Sequence, residues 1–214
     1  MRTEAHISVT RADIRGGQLS RHAARRLQGG RAFAVSTGLG LPRTWSLATQ
    51  SALDGFEAHL SDDDESDGQA RLGDAVAAAR DALADRCDQL VERLLPDATL
   101  VGLLLSAGQL HVISVGPGRV YVQRNGQPKR LTAREDEDKS GLLRARPSVC
   151  STEVHPGDLI LAGSLTAFSM SSIAKAMSVL GADPQTQPSV LASLLTEPAA
   201  KAGVGAAAIV VRIR

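Results

Sequence analysis

At 214 residues and 22.4 kDa the chain can bury a sizeable core, and it reads as one domain spanning residues 1–214. Lys plus Arg number 24 and Asp plus Glu 23, a net charge of +1, so no single-sign field points to a nucleic acid or another polyanion as partner. Hydrophobic residues at 43% mark a globular chain, and aromatics at 2% leave Ala, Val, Leu and Ile to build the core, with few platforms for stacking bases or sugars.

No apolar run is long enough to span a membrane. Residues 1–6 lack the apolar segment of a signal peptide. Cys87 and Cys150 are far apart in the chain and form no disulfide framework, so the expected compartment is the reducing cytoplasm.

In chain order, residues 6–10 alternate weakly as a first strand, and Arg15-Gly16-Gly17 turns away from it. A basic stretch follows, with Arg21, Arg25, Arg26 and Arg31 around Gly29-Gly30. Phe33-Ala34-Val35-Ser36 is a short apolar strand closed by Gly38 and Gly40. Leu41, Trp45, Thr49, Ala52, Phe56 and Leu60 recur at steps of three and four, which predicts a helix opening near Pro42. An acidic loop, Ser61 to Gly68, precedes a long helix. Leu72, Val76, Ala79, Leu83, Cys87, Leu90 and Leu94 stripe that helix, and Pro96 is expected to end it.

A β-meander comes next: strands at 99–106, 110–115 and 119–124, joined by Ala107-Gly108 and Gly116-Pro117-Gly118 and followed by the hairpin signal Asn125-Gly126. Residues 133–147 are charged and loop-like. Further strands are expected at 149–154, 158–162 and 207–213. Between them lie a helix capped by Ser169 and ended by Gly181, and another opened by Pro188. Helices grouped between antiparallel runs predict an α+β fold with two sheets and outer helices.

Several short motifs then line up over nearly the whole chain. Arg15 is followed by Gln18-Leu19-Ser20. The strand Phe33–Ser36 runs into Thr37-Gly38-Leu39-Gly40. Val115 leads into Gly116-Pro117-Gly118-Arg119, then Val120-Tyr121-Val122, Asn125-Gly126 and Leu131-Thr132. Pro156-Gly157-Asp158 precedes Leu159–Ala162 and Gly163-Ser164-Leu165. This order resembles the metal-dependent Ser/Thr protein phosphatases, the type-2C or PPM family. The resemblance implies an α-β-β-α four-layer sandwich with two packed antiparallel sheets and a two-metal site at one end.

The family's metal-binding aspartates have no counterparts in this alignment. Ser20, Thr37, Ser164 and Val204 stand at vestigial metal-site positions, Gly38 keeps the glycine beside Thr37, and Pro117 replaces the hairpin aspartate. No Asp or Glu occurs from Ile14 to Leu53, from Ala98 to Arg134 or from Leu159 to Ala182. Hard divalent ions require anionic oxygen ligands. Two such ions side by side repel by several kcal/mol even at an effective dielectric of about 20, and Thr, Ser and Val cannot compensate them.

The expectation is therefore a pseudophosphatase with no catalytic residues, no metal and no cofactor. Its partner would be a protein: a Ser/Thr kinase, a phosphoprotein or an assembly component. No nucleic acid or membrane is expected as partner, and homodimerisation is left open. The competing expectation is a divergent phosphatase with an altered or metal-free site, for which Asp54, Glu153 and Asp158 are the available acids. Arg15 matches the family's phosphate-contacting Arg, to which the nearby Arg21, Arg25, Arg26 and Arg31 could add, against the simpler reading of a solvated turn residue.

Other features carry less. The acidic loop at 61–68 lacks the alternation and distant Glu of an EF-hand. His6, His22, His59, His111 and His155 never occur at metal-ligand spacing, and His111 reads as a packed strand residue. Cys150 and His155 lack an oxyanion-hole motif. Gly38-Leu39-Gly40 fails the dinucleotide fingerprint. The run Glu135–Asp138 could contact a basic partner surface, against the simpler reading of a solvated loop.

Overall fold

The computed structural model describes residues 2–60, 67–90, 95–133 and 140–214. Two five-stranded antiparallel sheets lie face to face. The first has the order β1 (Thr3–Thr10), β12 (Ala206–Ile213), β11 (Leu159–Gly163), β8 (Arg119–Arg124), β9 (Gln127–Arg130). The second runs β10 (Ser148–Glu153), β7 (Gln109–Val115), β6 (Asp97–Ser106), β5 (Ala32–Leu39), β4 (His22–Leu27). A small hairpin, β2 (Ala12–Ile14) and β3 (Gly17–Leu19), stands apart from both.

Helices α1 (Trp45–Leu60) and α2 (Gly68–Asp88) cover the second sheet, and α3 (Met170–Ala182) and α4 (Pro188–Lys201) serve the first, completing the expected α-β-β-α sandwich. Strand alternation sorts the core into three layers. Ala32 and Ala34 face α1 and α2 with Leu53, Phe56, Leu72 and Leu83. Phe33, Val35, Val101 and Leu103 face the other way and meet Val120, Ile160, Ile209 and Val211 between the sheets. Leu159, Leu161, Ala208 and Val210 pack under α3 and α4.

Local signals explain most boundaries. Asn125-Gly126 turns β8 into β9 with both residues at positive φ, 51° and 80°. Ser169 caps α3, its Oγ accepting from Ser172 N at 3.1 Å. That helix ends at Ala182, so Gly181 lies within its last turn rather than after it.

One helix end is corrected. α2 stops at Asp88, well short of Pro96. The Cys87 thiol donates to the Pro96 carbonyl at 3.4 Å, so the chain has already turned back at that point. A helix continued to that point would carry Pro96 about 13 Å along the axis from Cys87. Leu94, the acidic stretch at 61–66 and the run Glu135–Asp138 lie outside the described residues.

The register fixes what gathers at each end of the sandwich. His22 pairs with Thr37, Thr37 with Thr99, and Gly163 with both Arg119 and Ala208. One end therefore carries the start of β4, the end of β5, the start of β8, the end of β11 and the start of β12. The other carries the β4–β5 and β6–β7 turns.

Candidate functional site

A cavity of about 210 Å³ opens at the first of these ends, lined by Arg21, His22, Thr37, Leu39, Thr99, Pro117, Leu165 and Thr166. Arg21, just before β4, and His22 on it stand beside Thr37 and Leu39 of β5 and Thr99 of β6, all on one sheet. The Gly116–Gly118 link carries Pro117 from one sheet to the other, and the turn after β11 supplies Leu165 and Thr166. The cavity thus sits between the two sheets at one end of the sandwich, and of the aligned positions Thr37 lines it.

His22 is the titratable centre of this place. Its side chain is only 3% exposed. Nδ1 lies 3.0 Å from Thr37 Oγ1 in a hydrogen bond, while Nε2 finds no hydrogen-bond partner among the described residues. The backbone of Val204 and Gly205 stands beside the ring. Burial, and after it the charge of Arg21, push the imidazole down to about 4, and the Val204 and Gly205 backbone offsets part of that shift. At neutral pH the ring is uncharged.

Among the described residues, Arg21 is the one charged side chain lining the cavity. Its guanidinium carbon lies 5.0 Å from the centre of the Trp45 ring, and burial lowers its pKa. Trp45 reaches this position because residue 38 is Gly. A Cβ there would come within 2.7 Å of the Trp45 Cα.

The aligned positions fare differently. Thr37 lines the cavity, with Gly38 against Trp45. Ser164 is buried at the end of β11, where its Oγ accepts from Ala207 N at 3.1 Å and lies 3.0 Å from Thr166 Oγ1. Val204 is 41% exposed, beside the His22 ring. Ser20 is exposed and stands outside the cavity lining. The residue opposite Thr37 across the strands is His22. Arg15 is exposed at the tip of the β2–β3 hairpin, with φ +52°, and also stands outside the lining.

From sequence, Arg21 falls in a basic stretch and His22 reads as a histidine without metal-ligand spacing, and neither is placed beside Thr37. The signal that finds them is hairpin arithmetic: positions 22 and 37 are equidistant from the Gly29-Gly30 turn.

No carboxylate lines the cavity among the described residues, and no group of three or more His, Cys, Asp or Glu side chains gathers to hold a metal there or elsewhere among them. The available acids have other engagements. Asp54 pairs with Arg25 on the outer face, at 2.5 Å. Asp158 and Glu153 lie at the far end of their strands. Asp13, on β2, accepts from Gly16 N within its own hairpin at 2.9 Å. A lining of threonine hydroxyls, one buried imidazole and a cation does not fit a pair of hard divalent ions.

Cys150 and His155 do not form a nucleophile and base. The Cys150 thiol donates to the Leu131 carbonyl at 3.6 Å, and burial pushes its pKa up.

Comparison with solved structures identifies the fold. The chain is similar to the serine/threonine phosphatase PstP/Ppp of Mycobacterium tuberculosis, at 21% identity and TM-score 0.81 over 99% of each chain. The PstP catalytic domain in complex with 2 manganese ions matches at 20% identity, TM-score 0.82 and 99% of each chain. PppA, a key regulatory component of T6SS in Pseudomonas aeruginosa, matches at 16% identity and TM-score 0.79 over 99% of this chain and 98% of that one. No protein-family model and no curated protein matches by sequence. The fold is that of the type-2C (PPM) serine/threonine phosphatases, as the motif order implied. Among the described residues no helix is long and apolar enough to cross a membrane.

Proposed function

We propose that this chain is a catalytically silent protein of the phosphatase fold that works by binding another protein in Ser/Thr phosphorylation signalling, in the cytoplasm. The observation that carries this reading is the cavity between the sheets. Where the fold's enzymes need several anionic oxygens, the described lining offers threonines, a neutral His22 and Arg21. Metal-assisted hydrolysis depends on ions that generate a hydroxide and neutralise the phosphoryl group, and that requires carboxylates at this place.

The chain's own residues support binding rather than turnover. Exposed apolar side chains, Leu165 and Val204, flank the cavity, and Met170 follows at the start of α3, 86% exposed. A kinase, a phosphoprotein or an assembly component is the class of partner this reading implies. PppA, as a regulatory component, shows that the fold serves regulation elsewhere.

The test is release of phosphate from a phosphoserine or phosphothreonine peptide with Mn²⁺ present. The expected rate equals that of buffer and is unchanged by EDTA. Chelator-sensitive turnover would favour the divergent-phosphatase reading instead. In the same preparation, Leu165→Asp and Val204→Asp should release a protein partner co-purified from the native host while leaving the fold intact.

A further inference from the structure

The end of the sandwich opposite the cavity carries a second concavity, of about 600 Å³ and different character. The turn at 28–31 and the Ala107-Gly108 turn both line it. The two are joined by the Leu105 N–H, which donates to the Arg31 carbonyl at 2.8 Å. Arg2, Arg26, Arg31 and Arg71 line it with Thr3 and Ser106, and no carboxylate appears in its described lining.

Arg26 is held in place by the turn beneath it. A Cβ at residue 30 would fall 2.4 Å from Arg26 Nη2 and 2.5 Å from its Nε, so Gly30 is what allows the guanidinium to lie against the backbone. Nη2 donates to the Gly29 carbonyl at 3.4 Å, and that is the one hydrogen bond of this guanidinium among the described residues. The Arg2 guanidinium makes none among them. Arg31 and Arg71 have partners of their own, so the inference rests on Arg2 and Arg26. A guanidinium offers five donors in a planar fork, the geometry that matches phosphate oxygens.

We propose that this basin binds a phosphate monoester group. It lies far from the cavity and does not depend on whether that cavity is silent. The chain as a whole carries only +1, which disfavours a long polyanion, and Arg2 and Arg26 supply the charge that a compact anion would meet in the basin. The same chemistry has two sources, a phosphorylated side chain of a partner protein and a free small phosphate.

The experiment titrates the full chain with inorganic phosphate, with a phosphoserine peptide and with the unphosphorylated twin of that peptide, following the arginine Nε–H resonances by NMR. Saturable shifts at Arg26 with phosphate and phosphopeptide, absent with the twin, are expected. The Arg2→Ala/Arg26→Ala double variant should bind at least about tenfold more weakly. Both positions are exposed, so the fold is retained, and Arg26→Lys should recover only part of the loss because a point charge replaces the fork.

Phosphopeptide binding about tenfold tighter than inorganic phosphate identifies a phosphoprotein as the source, and equal affinities identify a free small phosphate. Two results would overturn the proposal. One is the absence of any saturable shift, or identical affinities in the parent and double variant. The other is a DNA duplex that displaces the phosphopeptide at matching charge concentration, since that marks a general polyanion surface.

Discussion

Acidification is the sharpest probe of the cavity, because His22 reports on the charges around it. Its native pKa is about 4, against about 6.5 in an unfolded chain. The unfolded chain therefore binds the extra proton, and stability falls with pH. The contribution is intact above pH 6.5 and is lost as pH drops from there through about 4. Each pH unit in that window costs up to about 1.4 kcal/mol, which comes to about 2 kcal/mol between pH 7 and pH 5. For a domain of this length that is a fall in Tm of roughly 4–8 °C.

Burial also lowers the pKa of His111, so wild-type slopes alone do not isolate His22. Urea unfolding of the wild type and of His22→Gln, each from pH 7 to pH 5, separates the two. The wild type should lose about 2 kcal/mol more than the variant over that range. Equal slopes would mean that His22 titrates as in solvent. A wild type that gains on the variant as pH falls would mean that a carboxylate faces the imidazole, and the argument for an acid-free cavity would fail.

Two further predictions concern the frame around the cavity. Gly118→Ala would place a Cβ 2.0 Å from Val101 Cγ2, between the sheets, and should cost about 1–3 kcal/mol by thermal or urea unfolding. Combining it with Val101→Ala should recover part of that cost, and strictly additive losses would contradict the contact. At the far end, burial alone would raise the Asp158 carboxyl, but Arg124, bonded through Nε at 2.8 Å and Nη2 at 2.6 Å, and the His155 N–H outweigh it and leave the pKa below the ordinary value. Asp158→Asn should cost about 2–3 kcal/mol at neutral pH, discounted for a half-exposed Arg124. That deficit should close as pH falls through the native carboxyl's titration, and a deficit constant with pH would contradict the pairing.

The fold was legible wherever one face of an element is apolar. Phe33–Ser36, the meander strands and the α1 and α2 stripes follow from periodicity, because burial dictates which side chains repeat. β4 escaped notice because His-Ala-Ala-Arg-Arg-Leu has no such face. It is an edge strand whose outward Arg25 is held by Asp54 and Glu57 of α1 across the layer. With β4 read as a basic stretch, counting from Arg15 pointed to Ser20, whereas the strand partner of Thr37 is His22. The β2–β3 hairpin was hidden for a similar reason, since three-residue strands with exposed side chains leave no pattern.

The glycine and apolar motifs that carry the resemblance are what the sandwich needs for its turns and layers, so they foretold the architecture well. They said less about chemistry. The identity of the cavity's lining depends on register, which the glycine and apolar motifs do not fix for β4.

Manganese binding tests the central claim most directly. Titration of Mn²⁺ into the full chain, with free ion counted by electron paramagnetic resonance, should leave the ion in solution at millimolar protein, and His22→Gln should behave identically. Uptake of two ions per chain that EDTA reverses and His22→Gln alters would establish a metal centre between the sheets and contradict the account.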